Sequence, residues 1–367
     1  MTVSIVIASG GTGGHLIPAL AIADAIRSRD RDARITFVGT RRALDASLVT
    51  KAGYEMAATG MKPFGGGMRG VLGVASTVPA TAQAARILHR ARADSVVGMG
   101  GYATLPVVIA ARMRGVPSVI HEGNVVAGLA NEVAARFTRN IAVSFEATLA
   151  RFPDARVTGM LLRPSFASFD RERLREQAFA HLRLDPARKT IVMFGGSLGA
   201  VRLNAAVPGL ARRWRDRSDL QLLVVAGRDH ADLVRAQLSP GAVDVLVEQF
   251  VDRMDLAFAA ADVVISRAGG STVAEVAVAG VPSILIPFPH ARRREQHANA
   301  AVLVRAGGAL SVDDASADAD LLGGMVDDLL ADDERRAAMG KAARSLARPD
   351  AASAVGSWAL QLAEGRR

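Results

Sequence analysis

The chain has 367 residues, half of them hydrophobic and 22% charged, and it contains no cysteine. This composition excludes a disordered chain, disulfide bonds and thiolate chemistry, and the length predicts two domains rather than one. The net charge of +9 is uneven, because residues 1–163 carry 19 Lys and Arg against 10 Asp and Glu, whereas residues 164–367 carry 26 of each; the first part is therefore predicted to meet an anionic ligand or surface.

Short β-branched strands alternate with Ala- and Leu-rich helical stretches along the chain. Continuous apolar strands separated by helices indicate parallel sheets covered on both faces, so the predicted fold class is doubly wound α/β. The predicted strands cover residues 3–8, 35–38, 95–97, 118–120, 190–194, 220–225, 244–247, 263–266 and 283–286. The acidic segment 313–334 is predicted to be a solvated helical region, and residues 350–367 a short amphipathic helix.

Two glycine-rich turns repeat one pattern, a strand followed by glycines with a hydroxyl residue and then a helix. They are Gly10-Gly-Thr-Gly-Gly-His15 and Gly195-Gly-Ser-Leu-Gly199. The repeat predicts two Rossmann-like domains, 1–163 and 164–345, with a C-terminal helix in 346–367 for which packing back on the first domain is one option. Glycines let the backbone approach a ligand, and a helix N-terminus attracts anions. A tight turn without a ligand is the alternative. The spacing does not fit a dinucleotide loop or a P-loop.

Polar residues follow several predicted strands, where α/β folds bind ligands. His15 has an ordinary pKa suited to a general base, and the alternative is a hydrogen-bonding wall residue. Thr272 and Glu275 have the spacing of a helix capping box, which is the structural alternative to a role of Glu275 in holding a sugar hydroxyl. No metal site is predicted, because the paired aspartates of the sequence lie in charged helical or loop stretches.

Taken together, these motifs resemble the MurG family, N-acetylglucosaminyltransferases that convert lipid I to lipid II in peptidoglycan synthesis. The resemblance runs nearly end to end. It is carried by Gly10-Gly-Thr-Gly-Gly-His15, Gly98-Met-Gly-Gly-Tyr102, His121-Glu-Gly-Asn124, Gly195-Gly-Ser-Leu-Gly-Ala200, Ser266-Arg-Ala-Gly269 with Glu275, and Gln296-His-Ala-Asn299. It implies the GT-B architecture, two Rossmann-like domains that face each other across a cleft, with the lipid acceptor in the first domain and UDP-GlcNAc in the second.

The resemblance also implies roles for individual residues. His15 would be the base that activates the acceptor hydroxyl, with Asn124 beside it. Glu275 would hold the ribose and Gln296 the GlcNAc hydroxyls. The remaining substrate-binding residues implied are Thr12, Gly13 and Gly14 on the acceptor side, Arg163 and Val251 at the nucleotide, and Ser197, Gly270, Ser271 and Thr272 at the diphosphate. The implied reaction is an inverting displacement that makes a β-1,4 bond and needs no metal or other cofactor.

Three positions depart from the family pattern. Gly123 stands where Gln is usual, Met160-Leu-Leu162 where Asn-Pro-Val is usual, and Glu295 where Gln or His is common. These departures leave open a UDP-sugar transferase with another acceptor, for instance in specialised metabolism. A non-catalytic UDP-sugar-binding protein is a further alternative, which the presence of His15, Asn124 and Glu275 disfavours.

The basic first part suggests a membrane patch formed by Phe64, Leu72 and Arg86, which would contact an anionic membrane surface and the acceptor pyrophosphate. The alternative is an ordinary loop followed by a solvated helix. The start of the chain does not resemble a signal peptide, so we expect a peripheral protein on the cytoplasmic face of the membrane, with cell-wall synthesis proteins as candidate partners. Nucleic-acid binding is disfavoured, because aromatic residues make up 4% of the chain.

Overall fold

The computed structural model describes residues 2–10, 13–39, 43–62, 68–196, 200–241 and 243–366. The chain divides into two compact units, Met1–Pro164 with Arg348–Arg367, and Ser165–Ala347. The sequence placed the first division after Arg163, and the structure places it after Pro164. The last helical segment therefore belongs to the first unit.

In the described part of the first unit, seven parallel strands form one sheet in the order β3-β2-β1-β4-β5-β6-β7. The first strand lies inside the sheet between β2 and β4, and the register pairs Ile5 with Ile35 on one side and with Ser95 on the other. The strands are β1 Ser4–Ala8, β2 Arg34–Gly39, β3 Glu55–Ala58, β4 Ser95–Gly98, β5 Ser118–Glu122, β6 Asn140–Val143 and β7 Arg156–Val157.

The second unit repeats this arrangement, with six parallel strands among its described residues in the order β10-β9-β8-β11-β12-β13. All nine strands predicted from the sequence are present. The sequence missed β3, β6, β7 and β13, which have two to four residues each, too few for a clear apolar run. The strands are β8 Lys189–Phe194, β9 Leu220–Val225, β10 Asp244–Glu248, β11 Val263–Ser266, β12 Ser283–Leu285 and β13 Ala309–Ser311.

Helices connect the strands of both sheets, as parallel pairing requires. In the first unit they are α1 Gly13–Arg29, α2 Ala43–Lys51, α3 Met68–Ala91, α4 Thr104–Met113 and α5 Leu129–Ala134. From the link into the second unit they are α6 Pro164–Ala167, α7 Arg171–Leu182, α8 Val201–Arg213, α9 Ala231–Ala236, α10 Met254–Ala260, α11 Gly270–Ala279, α12 Glu295–Arg305, α13 Ala319–Ala331 and α14 Asp333–Arg344. No helix in these ranges is both long and apolar enough to cross a membrane.

The C-terminal helix α15, Ala351–Glu364, packs on α1 and β4 of the first unit. Val355, Trp358 and Ala359 form a buried stripe at helical spacing. Ser95 Oγ donates to the carbonyl oxygen of Ala359 at 2.8 Å. The first sheet is thus covered by α1 and α15 on one face and by α3 and α4 on the other.

The acidic segment 313–334 is helical as predicted, but it is not solvated throughout, because one face of α13 is buried. Leu322, Val326 and Leu329 of α13 are fully buried in the core of the second unit, because they recur on one face between the acidic residues. Two of the aspartates cap the starts of helices: Asp318 accepts from Leu321 N before α13, and Asp332 accepts from Arg335 N before α14. These two N-caps account for two of the nine acidic residues of the segment.

Candidate functional site

Each sheet has a point at which successive connections turn to opposite sides. In the first unit it lies between β1 and β4, and in the second between β8 and β11. Ligands of doubly wound folds bind at the carboxyl ends of the strands beside this point. The polar residues singled out from the sequence follow these strands, so each unit carries its own candidate site.

His15 lies in the first turn of α1, against the turn that follows β4. The imidazole hydrogen-bonds the main chain of Met99, and its Cε1 and Cδ2 lie 3.5 and 3.6 Å from where a Cβ would stand on Gly100 and Gly101. Both glycines have positive φ, and a Cβ on Gly101 would collide with the carbonyl oxygen of Gly10. Glycine is therefore required here, and it brings the backbone close to the histidine.

Burial lowers the pKa of His15, and the hydrogen bond to Met99 opposes the shift. The ring is therefore neutral at neutral pH. A neutral imidazole carries one proton, and if that proton is donated to the Met99 carbonyl, the other nitrogen has a free lone pair. His15 is thus prepared to accept a proton, as a general base must.

Glu122, the last residue of β5, fixes the loop that follows it. Its carboxylate accepts from Asn124 N at 3.0 Å, from Gly128 N at 2.9 Å and from Asn131 Nδ2 at 2.9 Å. Burial raises the pKa of Glu122, while hydrogen bonds from Gly128, Asn131 and Asn124 oppose the shift. The sequence assigned no role to Glu122; we call residues 123–128 the acceptor loop hereafter.

Asn124 is held by both its main-chain groups. In addition to the Glu122 contact, its carbonyl oxygen accepts from Thr148 Oγ1 at 3.1 Å, and its side chain also hydrogen-bonds Glu122. Asn131, bonded to the same carboxylate, lies 3.1 Å from the Cβ position of Gly100. A continuous set of contacts therefore joins Asn124 to the turn on which His15 rests.

His121 stands next to Glu122 and is also buried. Its Nε2 lies 3.0 Å from the carbonyl oxygen of Gly159 and 3.4 Å from Ser144 Oγ. The pKa of His121 is lowered to about 4, mainly by burial; the hydrogen bond to Gly159 opposes the shift, and the neighbouring imidazole of His15 disfavours a second positive charge. The neutral ring donates to Gly159 and so links β5 to residue 159.

This histidine predicts an acid-sensitive fold. Because the pKa of His121 is lower in the folded than in the unfolded state, the folded protein is at its full stability above about pH 6.5. This contribution to the free energy of unfolding is lost as the pH falls towards 4. The wild type should lose about 3 kcal/mol of unfolding free energy over this range relative to His121→Gln. Urea unfolding of both proteins across the range measures the difference. Glu122 titrates in both, so it cancels, and parallel pH curves would contradict the assignment.

In the second unit, the structure removes the capping-box alternative for Glu275. The N-cap of α11 is Gly269, and Thr272 is the third residue of the helix. A capping box requires the hydroxyl residue at the N-cap itself. Glu275 is instead half-buried in the second turn of α11.

Gln296, the second residue of α12, joins two loops at the carboxyl ends of β11 and β12. Its Oε1 accepts from Ala268 N at 3.2 Å and from Phe288 N at 2.9 Å. Asn299, one turn later, donates from Nδ2 to the carbonyl oxygen of Ala268 at 3.2 Å. Because its oxygen accepts these two bonds, Gln296 is best placed to meet a ligand as a donor through Nε2.

Arg267 braces the same loops, a role that the sequence did not reveal. Its Nη1 donates to the carbonyl oxygen of Ile286 at 3.1 Å and lies 2.6 Å from Asp314 Oδ1. The guanidinium also stands 5.4 Å from the ring centroid of Phe288. The Ser-Arg-Ala-Gly motif signalled the position, but the partners are distant in sequence. A buried arginine thus holds the loops after β11 and β12, which lead towards α11 and α12.

Comparisons with known proteins agree with this arrangement. The glycosyltransferase family 28 N-terminal domain matches residues 5–143, and the family 28 C-terminal domain matches residues 190–355. The chain belongs to glycosyltransferase family 28. The family's two domains correspond to the two sheets, and the GT-B fold class is confirmed.

Relatives within family 28 cover nearly the whole chain. A protein of Nocardioides sp. is 41% identical over 98% of both chains, and one of Streptomyces coelicolor is 40% identical over 95% of this chain and 94% of its own. Both are named UDP-N-acetylglucosamine–N-acetylmuramyl-(pentapeptide) pyrophosphoryl-undecaprenol N-acetylglucosamine transferase. The crystal structure of Acinetobacter baumannii MurG is similar with a TM-score of 0.79 and 26% identity, covering 98% of this chain and 100% of that one. The resemblance to the MurG family is confirmed.

The other residues that the family pattern implied lie at several places. Val251 is buried in the loop after β10, beside Phe250, an aromatic side chain that is 63% exposed. Arg163 is half-buried directly before α6, and Gly13 and Gly14 begin α1. Leu72 and Arg86 lie in α3, and Arg86 is exposed. Thr12, Phe64 and Ser197 lie outside the described residues.

Across the ranges that the structure describes, no group of three or more His, Asp or Glu residues could hold a metal ion. The family 28 enzyme is expected to work without a metal or cofactor, and this expectation stays a prediction. A helix N-terminus such as that of α11 offers main-chain N–H groups that could neutralise a diphosphate instead.

Proposed function

We propose that this protein transfers GlcNAc from UDP-GlcNAc to the C4 hydroxyl of MurNAc in lipid I, which forms lipid II for peptidoglycan synthesis. The observation that carries the proposal is the full-length similarity, at about 40% identity, to relatives named for this transfer. The neutral His15 beside the glycine turns supports the chemistry, because the reaction needs a base at the acceptor hydroxyl.

The reaction is a single displacement with inversion. His15 takes the proton of the C4 hydroxyl, and the oxygen attacks the anomeric carbon of GlcNAc. The bond from that carbon to the diphosphate oxygen breaks, and UDP leaves with the bonding electrons. The product has a β-1,4 bond. Asn124, which is tied through Asn131 to the His15 turn, would orient the acceptor.

The second unit would hold the donor. The N–H groups of Gly270, Ser271 and Thr272 begin α11 and would meet the diphosphate, where partial positive charge stabilises the leaving group. Glu275 would accept hydrogen bonds from the ribose diol. Gln296 would donate to a GlcNAc hydroxyl through Nε2.

The test is transfer from labelled UDP-GlcNAc by the purified full chain. A lipid I analogue and several unrelated sugar acceptors are compared under the same conditions, with His15→Gln as the control of strongly reduced activity. We expect label on the lipid I analogue that depends on His15. Transfer to another acceptor, with none to lipid I, would support the alternative raised by Gly123 and Met160. UDP-GlcNAc binding without transfer to any acceptor would support a non-catalytic protein.

We further propose that the first unit binds an anionic membrane surface at the cytoplasmic face. The exposed side of α3 begins with Val74 and Val78, which are 66% and 77% exposed, and continues with Arg86 and His89. Arg114, just after α4, lies 3.1 Å from His89 through its Nη2. Apolar side chains followed by a basic cluster suit a surface that inserts shallowly and pairs with lipid phosphates. Cell-wall synthesis proteins as partners stay a prediction.

Removing this surface should weaken vesicle binding. The change Val74→Ser/Val78→Ser/Arg86→Ser is expected to lower affinity for anionic vesicles by roughly 30-fold or more. The two valines together and the arginine each contribute at least about 1 kcal/mol of binding free energy. Sedimentation with vesicles measures the affinity. A second variant changes Phe64 and Leu72 together with Arg86. Val201→Ser, on an exposed valine of α8, is the matched control. Equal binding by all variants would contradict the proposal.

A further inference from the structure

Two of the positions that depart from the family pattern are in contact. A Cβ on Gly123 would lie 3.2 Å from Met160 Sδ and 3.4 Å from Met160 Cε. These separations are shorter than the optimal distance of about 3.5–4.0 Å between non-bonded carbon atoms. A side chain at position 123 would therefore press on the end of the Met160 side chain, which would have to shift by a few tenths of an ångström.

Met160 is itself firmly held. It is 7% exposed, and Ser144 Oγ donates to its Sδ at 3.4 Å. The preceding residue, Gly159, has a φ of +97° and packs against Arg348 and Ala351, while its carbonyl oxygen faces His121. The thioether cannot move away without disturbing a buried cluster.

The acceptor loop is held on its other sides by polar groups. Glu122 fixes Asn124 N and Gly128 N, and Thr148 fixes the carbonyl oxygen of Asn124. The face of the loop at Gly123, directly before Asn124, is the one that Met160 covers. A displacement at Gly123 would therefore move Asn124 against bonds that define its position.

We infer that Met160 is a positioning residue for the acceptor loop and that Gly123 and Met160 act as one unit. The inference rests on the proposed function, which puts the acceptor at Asn124. The thioether fills the space beside Gly123 and supports the main chain that carries Asn124. Together the two residues keep the loop in place.

The test is a double-mutant cycle on the full chain, with wild type, Gly123→Gln, Met160→Ala and the double variant. Gly123→Gln should raise the KM for a lipid I analogue about tenfold, because the new side chain pushes on Met160 and the loop. Met160→Ala should raise it about threefold, because the loop loses its support. The double variant should return to within about threefold of wild type, since neighbouring residues couple by up to a few kcal/mol. The KM for UDP-GlcNAc should stay within about twofold in all four.

Matched controls lie in the second unit. Met325→Ala removes a partly buried methionine of α13, and Gly324→Gln adds a side chain where no atom stands within 4 Å of the Cβ position. Neither should change the acceptor KM. The inference is overturned if the effects of the two test changes simply multiply, or if donor and acceptor KM rise together.

The same four proteins separate this inference from the proposed function. If wild type transfers nothing to lipid I, the proposed function fails, and unfolding temperatures then report the coupling. If the unfolding temperature of the double variant falls by less than the sum of the two single losses, the coupling of Gly123 and Met160 is supported. If the losses are additive, the coupling is contradicted. If Gly123→Gln does not fold, Gly123→Ala, which adds the single Cβ that meets Met160, takes its place.

Discussion

Replacing His15 by glutamine is expected to lower kcat about 10²- to 10⁴-fold, the range in which general base catalysis contributes. Glutamine can keep a donor for the Met99 carbonyl, but it cannot accept a proton from the acceptor hydroxyl. The ring rests on Gly100 and Gly101, whose positive φ disfavours side chains, so these two positions cannot supply a substitute base. Initial rates at saturating UDP-GlcNAc and lipid I analogue measure the loss.

The pH dependence makes this test more specific. The pKa of His15 lies below its ordinary value of 6.5, so the ring becomes protonated, and unable to act as a base, only at more acidic pH. Wild-type kcat should therefore be flat at neutral pH and fall only at lower pH. The residual rate of His15→Gln should lack that fall. Its UDP-GlcNAc affinity and unfolding temperature should match wild type. A loss of less than about tenfold, or an unchanged acidic limb, would remove His15 from the role of base.

The strands and glycine turns were predictable because they depend on local sequence. Strands such as β1 and β8 are continuous apolar runs ending in glycines, and the repeat of this pattern identified two similar sheets. The edge strand β7, with two residues, has no such pattern. In 313–334 the acidic composition indicated a solvated segment, although apolar residues at helical spacing between the aspartates form a buried face of α13.

The site residues were predictable as candidates, but their contacts were not. Thr272 and Glu275 fit a capping box by spacing, yet the helix begins at Gly270, and the position of a helix start within a glycine run depends on tertiary packing. Arg267 and Asp314 pair across 47 positions, and Gly123 lies beside Met160 across 37 positions. No local pattern reports such pairs, since chain folding alone brings them together.

The structure shows where part of the excess positive charge of the first unit lies. Arg86, His89 and Arg114 gather on the outer side of α3 and α4, beside exposed valines. His15 and the acceptor loop, by contrast, lie at the carboxyl ends of β4 and β5. Arg86 and Arg114 thus contribute part of the excess charge to the surface that we propose binds the membrane. The anionic part of the donor would be met by main-chain dipoles in a unit without excess charge.

Replacing Glu275 by alanine is expected to weaken UDP-GlcNAc binding about 10- to 100-fold, because a carboxylate hydrogen-bonded to two ribose hydroxyls contributes about 1.5–3 kcal/mol. Isothermal titration with UDP-GlcNAc and with UDP measures it, and both ligands should lose similar affinity, since both carry the ribose.

The stability of the variant decides between the two explanations of Glu275. Because Gly269 caps α11 and Glu275 lies in the second turn, the unfolding free energy should change by less than about 1 kcal/mol. Thr272→Ala, at the other end of the supposed capping box, is the matched control, and it should also leave stability nearly unchanged. A fall in stability for both variants, with nucleotide affinity intact, would restore the structural role. Loss of affinity in a stable Glu275→Ala protein would place the ribose at this carboxylate.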